Sequence, residues 1–257
     1  MKILITGGNG YVAKSLYRAL SNKYDVVSIT RKDFDLTNRQ LTDQWFQGKH
    51  FDVVIHTAIK GGSRLTEDSG EVFYQNLKMF YNLYYNRDKF DKLIHFGSGA
   101  ELGTPSSPYG LSKKIINDLT KYKHGFFNLR IFAVFDENEL DTRFIKANIK
   151  RYINKEKIVI HQNRYMDFFY IPDLITLVNE YIIGNAHTSL SKVTECSYRE
   201  KFTLYDIAQI INQLSDYKVP IEVLDPSEGA SYIGNTPPVK RFIGLKKGIE
   251  QVYNQLK

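Results

Sequence analysis

Tyr109 and Lys113 stand four residues apart in Tyr109-Gly110-Leu111-Ser112-Lys113, a spacing that puts both on one face of a helix. A free phenol titrates near ~10, and an ammonium beside it favours the ionised form; roughly 1.4 kcal/mol of such stabilisation makes the phenol ten times more acidic. A tyrosine so placed can pass a proton to or from a carbonyl or alcohol oxygen. Ser98 ends an apolar run in Phe96-Gly97-Ser98-Gly99-Ala100-Glu101, where its hydroxyl can hydrogen-bond the same oxygen. In a chain with 18 tyrosines, Tyr-x-x-x-Lys alone arises by chance. Its place one helix after Ser98, downstream of a glycine loop, singles it out as an acid–base pair.

That loop is Thr6-Gly7-Gly8-Asn9-Gly10-Tyr11-Val12-Ala13, directly after an apolar strand pattern and directly before a helical one. Gly7 and Gly10 permit a tight turn and let a pyrophosphate approach the backbone. The helix opened by Tyr11 and Val12 offers unpaired N–H groups and a partial positive charge to that anion. Ala13 stands where many such loops have a third glycine, which implies slightly wider helix–strand packing. The end of the second strand tells dinucleotides apart. An acid there binds a ribose 2′-hydroxyl, whereas a guanidinium grips a 2′-phosphate. The strand ends Ile29-Thr30-Arg31-Lys32, with Asp33 and Asp35 following. Arg31 therefore points to NADP(H), with Asp35 and Leu36 beside the adenine.

The elements that position these groups follow from hydrophobic period. Strand patterns at 2–6, 25–30, 53–56, 92–96 and 126–132 alternate with helical patterns at 11–20, 41–47, 71–86 and 109–122. Strands separated by helices imply parallel βαβ units and a doubly wound α/β sheet. Beyond Phe132 the alternation weakens: helices are expected at 142–153, 204–214 and 246–256, and strands at 157–161 and 220–224. The chain thus divides into a dinucleotide-binding domain, 1–133, to which 166–182 returns, and a smaller α/β substrate-binding region, 134–165 and 183–257.

At 257 residues, 42% hydrophobic and 25% charged, the chain is composed like a globular protein. No apolar run approaches the roughly 20 residues that span a bilayer. The first residues break into glycines too early for a signal peptide. Cys196, the single cysteine, leaves no internal disulfide and no multi-cysteine metal site. A cytoplasmic protein without bound metal and without membrane attachment is expected. The net charge of +7 is spread along the chain, with no basic tract, which favours a phosphate-bearing small molecule over nucleic acid.

Taken together, these residues make the chain resemble the extended short-chain dehydrogenase/reductases of the nucleotide-sugar branch over almost its full length. The carriers are Thr6–Ala13, Val54-Ile55-His56-Thr57-Ala58, Asn76, Ser98, Tyr109 with Lys113, Arg130, and Asp167-Phe168-Phe169-Tyr170-Ile171-Pro172-Asp173-Leu174. Within the branch it is most similar to GDP-fucose synthase and related 4-ketoreductases, through His56–Gly62, Phe73–Leu77, Thr30-Arg31 and Asp35-Leu36. The resemblance implies a Rossmann sheet and an NADPH-dependent reduction of the 4-keto group of a nucleotide-linked sugar. It assigns Ser98, Tyr109 and Lys113 to catalysis, with Lys113, Thr57 and Ala58 also at the cofactor, and Gly99, Ala100, Arg143 and Arg164 at the substrate. It further implies a homodimer through the 71–86 and 109–122 helices.

Three departures from the family pattern narrow this. Where reductases that also epimerise carry a Cys and a His, this chain has Ala100 and, approximately, Arg143, so coupled epimerisation is not expected. Dehydratases carry an Asp-Glu pair after the catalytic hydroxyl residue; here Gly99-Ala100 follow Ser98. An arginine that grips the nucleotide diphosphate is replaced by Met166, with Arg164 two residues earlier as the substitute. An NAD-dependent 4-epimerase is the alternative, and a catalytically silent dinucleotide-binding protein a third reading. Of the remaining residues, His95 reads as a core histidine and His56 as a packing or cofactor-side one. Glu101 reads equally as a substrate contact or a solvated loop acid.

Overall fold

A computed structural model describes residues 1–63, 67–103, 105–184, 190–236, 238 and 242–257. In chain order its elements are β1 (Lys2–Thr6), α1 (Tyr11–Leu20), β2 (Asp25–Ile29), α2 (Arg39–Phe46), β3 (Phe51–His56), α3 (Gly70–Tyr85), β4 (Phe90–Ser98), α4 (Pro108–Lys121), β5 (Phe126–Ile131), β6 (Val134–Phe135), α5 (Phe144–Ile153), β7 (Ile158–Gln162), β8 (Phe169–Tyr170), α6 (Ile171–Ile183), β9 (Val193–Cys196), α7 (Leu204–Ile211), β10 (Ile221–Asp225) and α8 (Leu245–Leu256). The chain divides into two units, Met1–Arg130 with Ile175–Thr194, and Ile131–Leu174 with Glu195–Lys257. Of the segment 166–182, residues 166–174 lie in the second unit, where β8 pairs in parallel with β6.

The first unit is built on a six-stranded parallel sheet in the order β2-β1-β3-β4-β5-β9, the Rossmann-type arrangement. Strand runs such as Ile3-Leu4-Ile5 and Val53-Val54-Ile55 are buried at every position, as expected where helices cover both faces. On one face Leu4, Val54 and Leu93 pack with Phe46, Phe80 and Leu83. From β1 the chain steps outward to β2 and then crosses back over β1 to β3 on its other side, so a crevice opens at the carboxyl ends of these three strands.

The second unit has its own core, in which Phe135, Ile145, Tyr152, Ile160, Ile207 and Ile249 are fully buried. Three buried carboxylates organise its closing stretch. Asp167 accepts the Gly234 N–H at 2.7 Å and the Lys201 ammonium at 2.6 Å. Glu195 accepts the N–H groups of Asn235 and Thr236, both at 2.7 Å, and the Thr236 hydroxyl at 2.8 Å. Asp173 accepts the N–H groups of Ile243 and Gly244 at 2.9 and 3.0 Å. Among the described residues no helix is long and apolar enough to cross a membrane, and no group of His, Cys, Asp or Glu side chains could hold a metal ion.

Candidate active site

The crevice is a cavity of ≈ 490 Å³ lined by residues that include Thr6, Gly7, Gly10, Thr30, Arg31, Asp35, Leu36, Thr57, Ala58, Lys60 and Met79. Seven of the sequence-predicted cofactor residues therefore meet in one place: Gly7, Gly10, Arg31, Asp35, Leu36, Thr57 and Ala58. Tyr11 and Val12, in the first turn of α1, and Lys113 lie outside the lining. Sequence reasoning missed Lys60, although it sits in the His56–Gly62 stretch; its main chain is clamped by Asn76, which accepts its N–H at 2.9 Å and donates to its carbonyl at 3.0 Å.

The lining fits a dinucleotide. Gly7 has φ +71°, and a Cβ there would lie 2.7 Å from the Ala58 backbone, so only glycine lets the loop pass so close to the end of β3. No side chain caps the N-terminus of α1 and no acid stands in its first turn, which leaves the positive end of the helix for an anion. Both acids after β2 turn one carboxylate oxygen to their own loop. Asp33 accepts the N–H and hydroxyl of Thr30 at 2.8 and 3.0 Å, and Asp35 accepts those of Thr37, both at 2.9 Å. These hydrogen bonds lower the pKa of each.

The second cluster lies between β4 and α4. Ser98 is the last residue of β4, 6% exposed, and its Oγ accepts the Ala100 N–H at 3.2 Å, starting a 3-10 turn over Gly99–Glu101. Ser107 caps α4 by accepting the Gly110 N–H at 3.0 Å, and Pro108 occupies its first turn, both strong helix-start signals. This sets Tyr109, half-buried, and Lys113, 4% exposed, on one face, with the Lys113 ammonium 5.8 Å from the Tyr109 ring centre. Lys113 Nζ donates to the Phe96 carbonyl on β4. Burial brings its pKa down to about 8, with Glu101 opposing the fall. Gly62, at φ +74°, lies against Tyr109: a Cβ there would come within 2.8 Å of the phenol ring.

Glu101 is neither a solvated loop acid nor an open contact. It is 3% exposed, and its carboxylate accepts Arg130 Nε at 2.6 Å, Asn128 Nδ2 at 3.0 Å and the Ser98 N–H at 3.3 Å. Its signal in the sequence was the spacing Ser98-x-x-Glu101, a capping box. Beneath Lys113, His56 and His95 are paired across β3 and β4 and buried, with ring centres 5.4 Å apart. Burial, with the Lys113 charge adding, pushes His56 down to about 3 and His95 well below the usual imidazole range.

The remaining predicted residues fall on the second unit, apart from Gly99 and Ala100 in the 3-10 turn. Arg143 is exposed at the N-cap of α5. Arg164 is half-buried and donates to Gln162 Oε1 at 3.3 Å; Gln162 in turn donates to Asp225 at 3.0 Å and to Ser227 at 2.8 Å. Met166 is 4% exposed in the core of that unit, so this position packs where the family pattern has a cation. Cys196 is fully buried, and burial raises its thiol pKa.

Known proteins agree with this architecture. CDP-abequose synthase of Yersinia pseudotuberculosis is 23% identical over 242 residues, covering 84% of this chain and 85% of that protein. The GDP-mannoheptose C4 reductase of Campylobacter jejuni with NADP bound superposes with a TM-score of 0.79 at 18% identity, covering 99% of this chain and 98% of the other. A GDP-L-fucose synthetase from Naegleria fowleri gives 0.79 at 15%, over 98% and 92%. A UDP-glucuronic acid 4-epimerase from Bacillus cereus, in complex with NAD, gives 0.77 at 20%, over 100% of both chains. The model of the NAD dependent epimerase/dehydratase family matches residues 3–182. With its glycine loop, switch-point cavity and Ser98–Tyr109–Lys113 cluster on that matched stretch, the chain belongs to the NAD dependent epimerase/dehydratase family.

Proposed function

We propose that this protein is an NADPH-dependent reductase of the 4-keto group of a nucleotide-linked sugar, acting without coupled epimerisation. The observation that carries the cofactor choice is the loop after β2: Arg31 lines the cavity, while Asp33 and Asp35 are hydrogen-bonded to Thr30 and Thr37. Each acid turns one oxygen to its own loop, and a 2′-phosphate meets the Arg31 guanidinium at the cavity wall. That the Campylobacter jejuni C4 reductase carries NADP supports the same reading.

Gly7, Gly10, Tyr11 and Val12 would hold the pyrophosphate, Arg31 the 2′-phosphate, Asp35 and Leu36 the adenine side, and Thr57, Ala58 and Lys113 the nicotinamide half. When bound, NADPH would supply the hydride for C4. Ser98 polarises the keto oxygen through its hydroxyl. Tyr109 gives its phenolic proton to that oxygen as negative charge develops on it. The Lys113 ammonium stabilises the phenolate left behind. Gly99, Ala100, Arg143 and Arg164 are assigned to the substrate. A homodimer through α3 and α4 belongs to the same proposal.

The test is binding of NADPH against NADH, followed by loss of reduced-cofactor absorbance with a panel of nucleotide-linked 4-keto sugars. Tighter NADPH binding and stoichiometric oxidation with one sugar are expected. Tight NADH or NAD⁺ with no net oxidation would replace the reductase by the 4-epimerase, the activity for which the Bacillus cereus protein is named.

A further inference from the structure

Glu101 occupies an unusual place for a charge. Its side chain is 1% exposed, and its partner Arg130 is 11% exposed, 29 residues further along the chain on β5. Burying a pair of this kind costs desolvation that the attraction between the charges barely offsets, so stability alone is a weak reason for it. The surroundings are shaped to keep it. Gly97 has no Cβ where one would lie 2.8 Å from Glu101 Oε2 and 2.5 Å from Asn128 Oδ1. Asn128 Nδ2 is shared between Glu101 and Asn117 of α4, at 3.0 and 2.8 Å.

What the charge faces is the proposed catalytic cluster. Its second oxygen accepts the N–H of Ser98, and its field acts on Lys113. The titratable and charged groups around that ammonium are His56 from β3, His95 from β4, Glu101 from the 3-10 turn, with Arg130 of β5 behind it, and Tyr109 on α4 itself. Both imidazoles are neutral, so among the described residues the negative charge acting on Lys113 is that of Glu101.

Resting on the proposed roles of Ser98, Tyr109 and Lys113, we propose that Glu101 is a positioning residue for the reaction. It pins the main chain of Ser98 and supplies the counter-charge to the buried Lys113 ammonium.

The test needs no sugar substrate. NADPH affinity is followed by cofactor fluorescence from about pH 7 to about pH 9.5 in the wild type, Glu101→Gln and Lys113→Met. Wild-type affinity is expected to fall as Lys113 loses its proton, through about pH 8. In Glu101→Gln the same fall moves to lower pH, so that near pH 7.5 its Kd is about threefold weaker than the wild type's. A purely structural Glu101 would lower the melting temperature and leave the pH curve in place. A Glu101→Gln curve superimposed on the wild type, with Lys113→Met differing, overturns the proposal. A Lys113→Met curve superimposed on the wild type removes Lys113 from the cofactor, and the role of Glu101 falls with it. Should Glu101→Gln not fold, Glu101→Gln/Arg130→Met removes both charges. It is expected to shift the curve in the same direction by a smaller amount, because losing the Arg130 cation relieves part of the repulsion on the Lys113 ammonium. No shift in this variant, with Lys113→Met differing from the wild type, overturns the proposal.

Discussion

His95 carries two ring nitrogens without a hydrogen-bond partner in a side chain 1% exposed. In the unfolded chain an imidazole titrates near ~6.5, whereas here it titrates well below that. Between those values the unfolded state binds more protons. The stability that neutral His95 allows is therefore complete above about pH 6.5 and lost as pH falls. His95→Leu is expected to be more stable than wild type by about 1 kcal/mol at neutral pH. Its margin should widen by up to about 1.4 kcal/mol per pH unit below pH 6.5, read from urea unfolding at two pH values. At Tyr109, removal of the phenolic proton by Tyr109→Phe should leave NADPH binding unchanged and reduce turnover by about 10²- to 10⁴-fold. Near-full activity would remove Tyr109 from the mechanism. Gly62→Ala acts on the same ring from outside: its methyl would crowd the phenol at 2.8 Å on a backbone that disfavours alanine. About 1 kcal/mol of stability should be lost, with turnover falling further than NADPH binding.

Among the elements, the glycine loop ties three strand ends together. Gly8 donates to the Ile29 carbonyl at 2.8 Å, and Gly7 lies against Ala58. The Ala58 backbone cannot swing away as a flexible side chain could. Gly7→Ala is therefore expected to cost about 2 kcal/mol or more and to weaken NADPH binding by at least about tenfold, measured by thermal unfolding and cofactor titration. Most of this frame was legible in advance. The strand–helix alternation from β1 to β5 follows hydrophobic period, and Thr6–Ala13 sits on the strand-to-helix turn its glycines imply. What escaped has identifiable causes. α6 begins at Ile171 with Pro172 in its first turn, where proline is tolerated although it reads as a breaker. β6 and β8 have two residues each, too few for any period. Glu101 could be seen as a capping-box acid, but its burial depends on Arg130 and Asn128, which only the fold brings near.

For the whole molecule, α3 and α4 leave Tyr74 61% and Leu111 42% exposed, apolar surface that a two-fold pairing would cover. The proposed dimer predicts that Tyr74→Glu/Leu111→Glu sediments as a monomer while wild type sediments at twice the mass. A monomeric wild type would remove the dimer from the proposal. Within the second unit, nearly all the contacts by which Asp167, Glu195 and Asp173 fasten the stretch from Gly234 to Gly244 are made to main-chain N–H groups. Such clasps are indifferent to which side chains the intervening residues carry. Other described positions are held through their own atoms: Gly234, where a Cβ would meet Phe132 at 2.8 Å, Thr236, whose hydroxyl reaches Glu195 at 2.8 Å, Phe242, whose ring packs on Phe169, and Gly244, at φ +87°. Asn235 and Ile243, exposed and clasped through the main chain, are thereby open to mutational drift, so that descendants of this chain can acquire new side chains at those two positions without having to reinvent the fold.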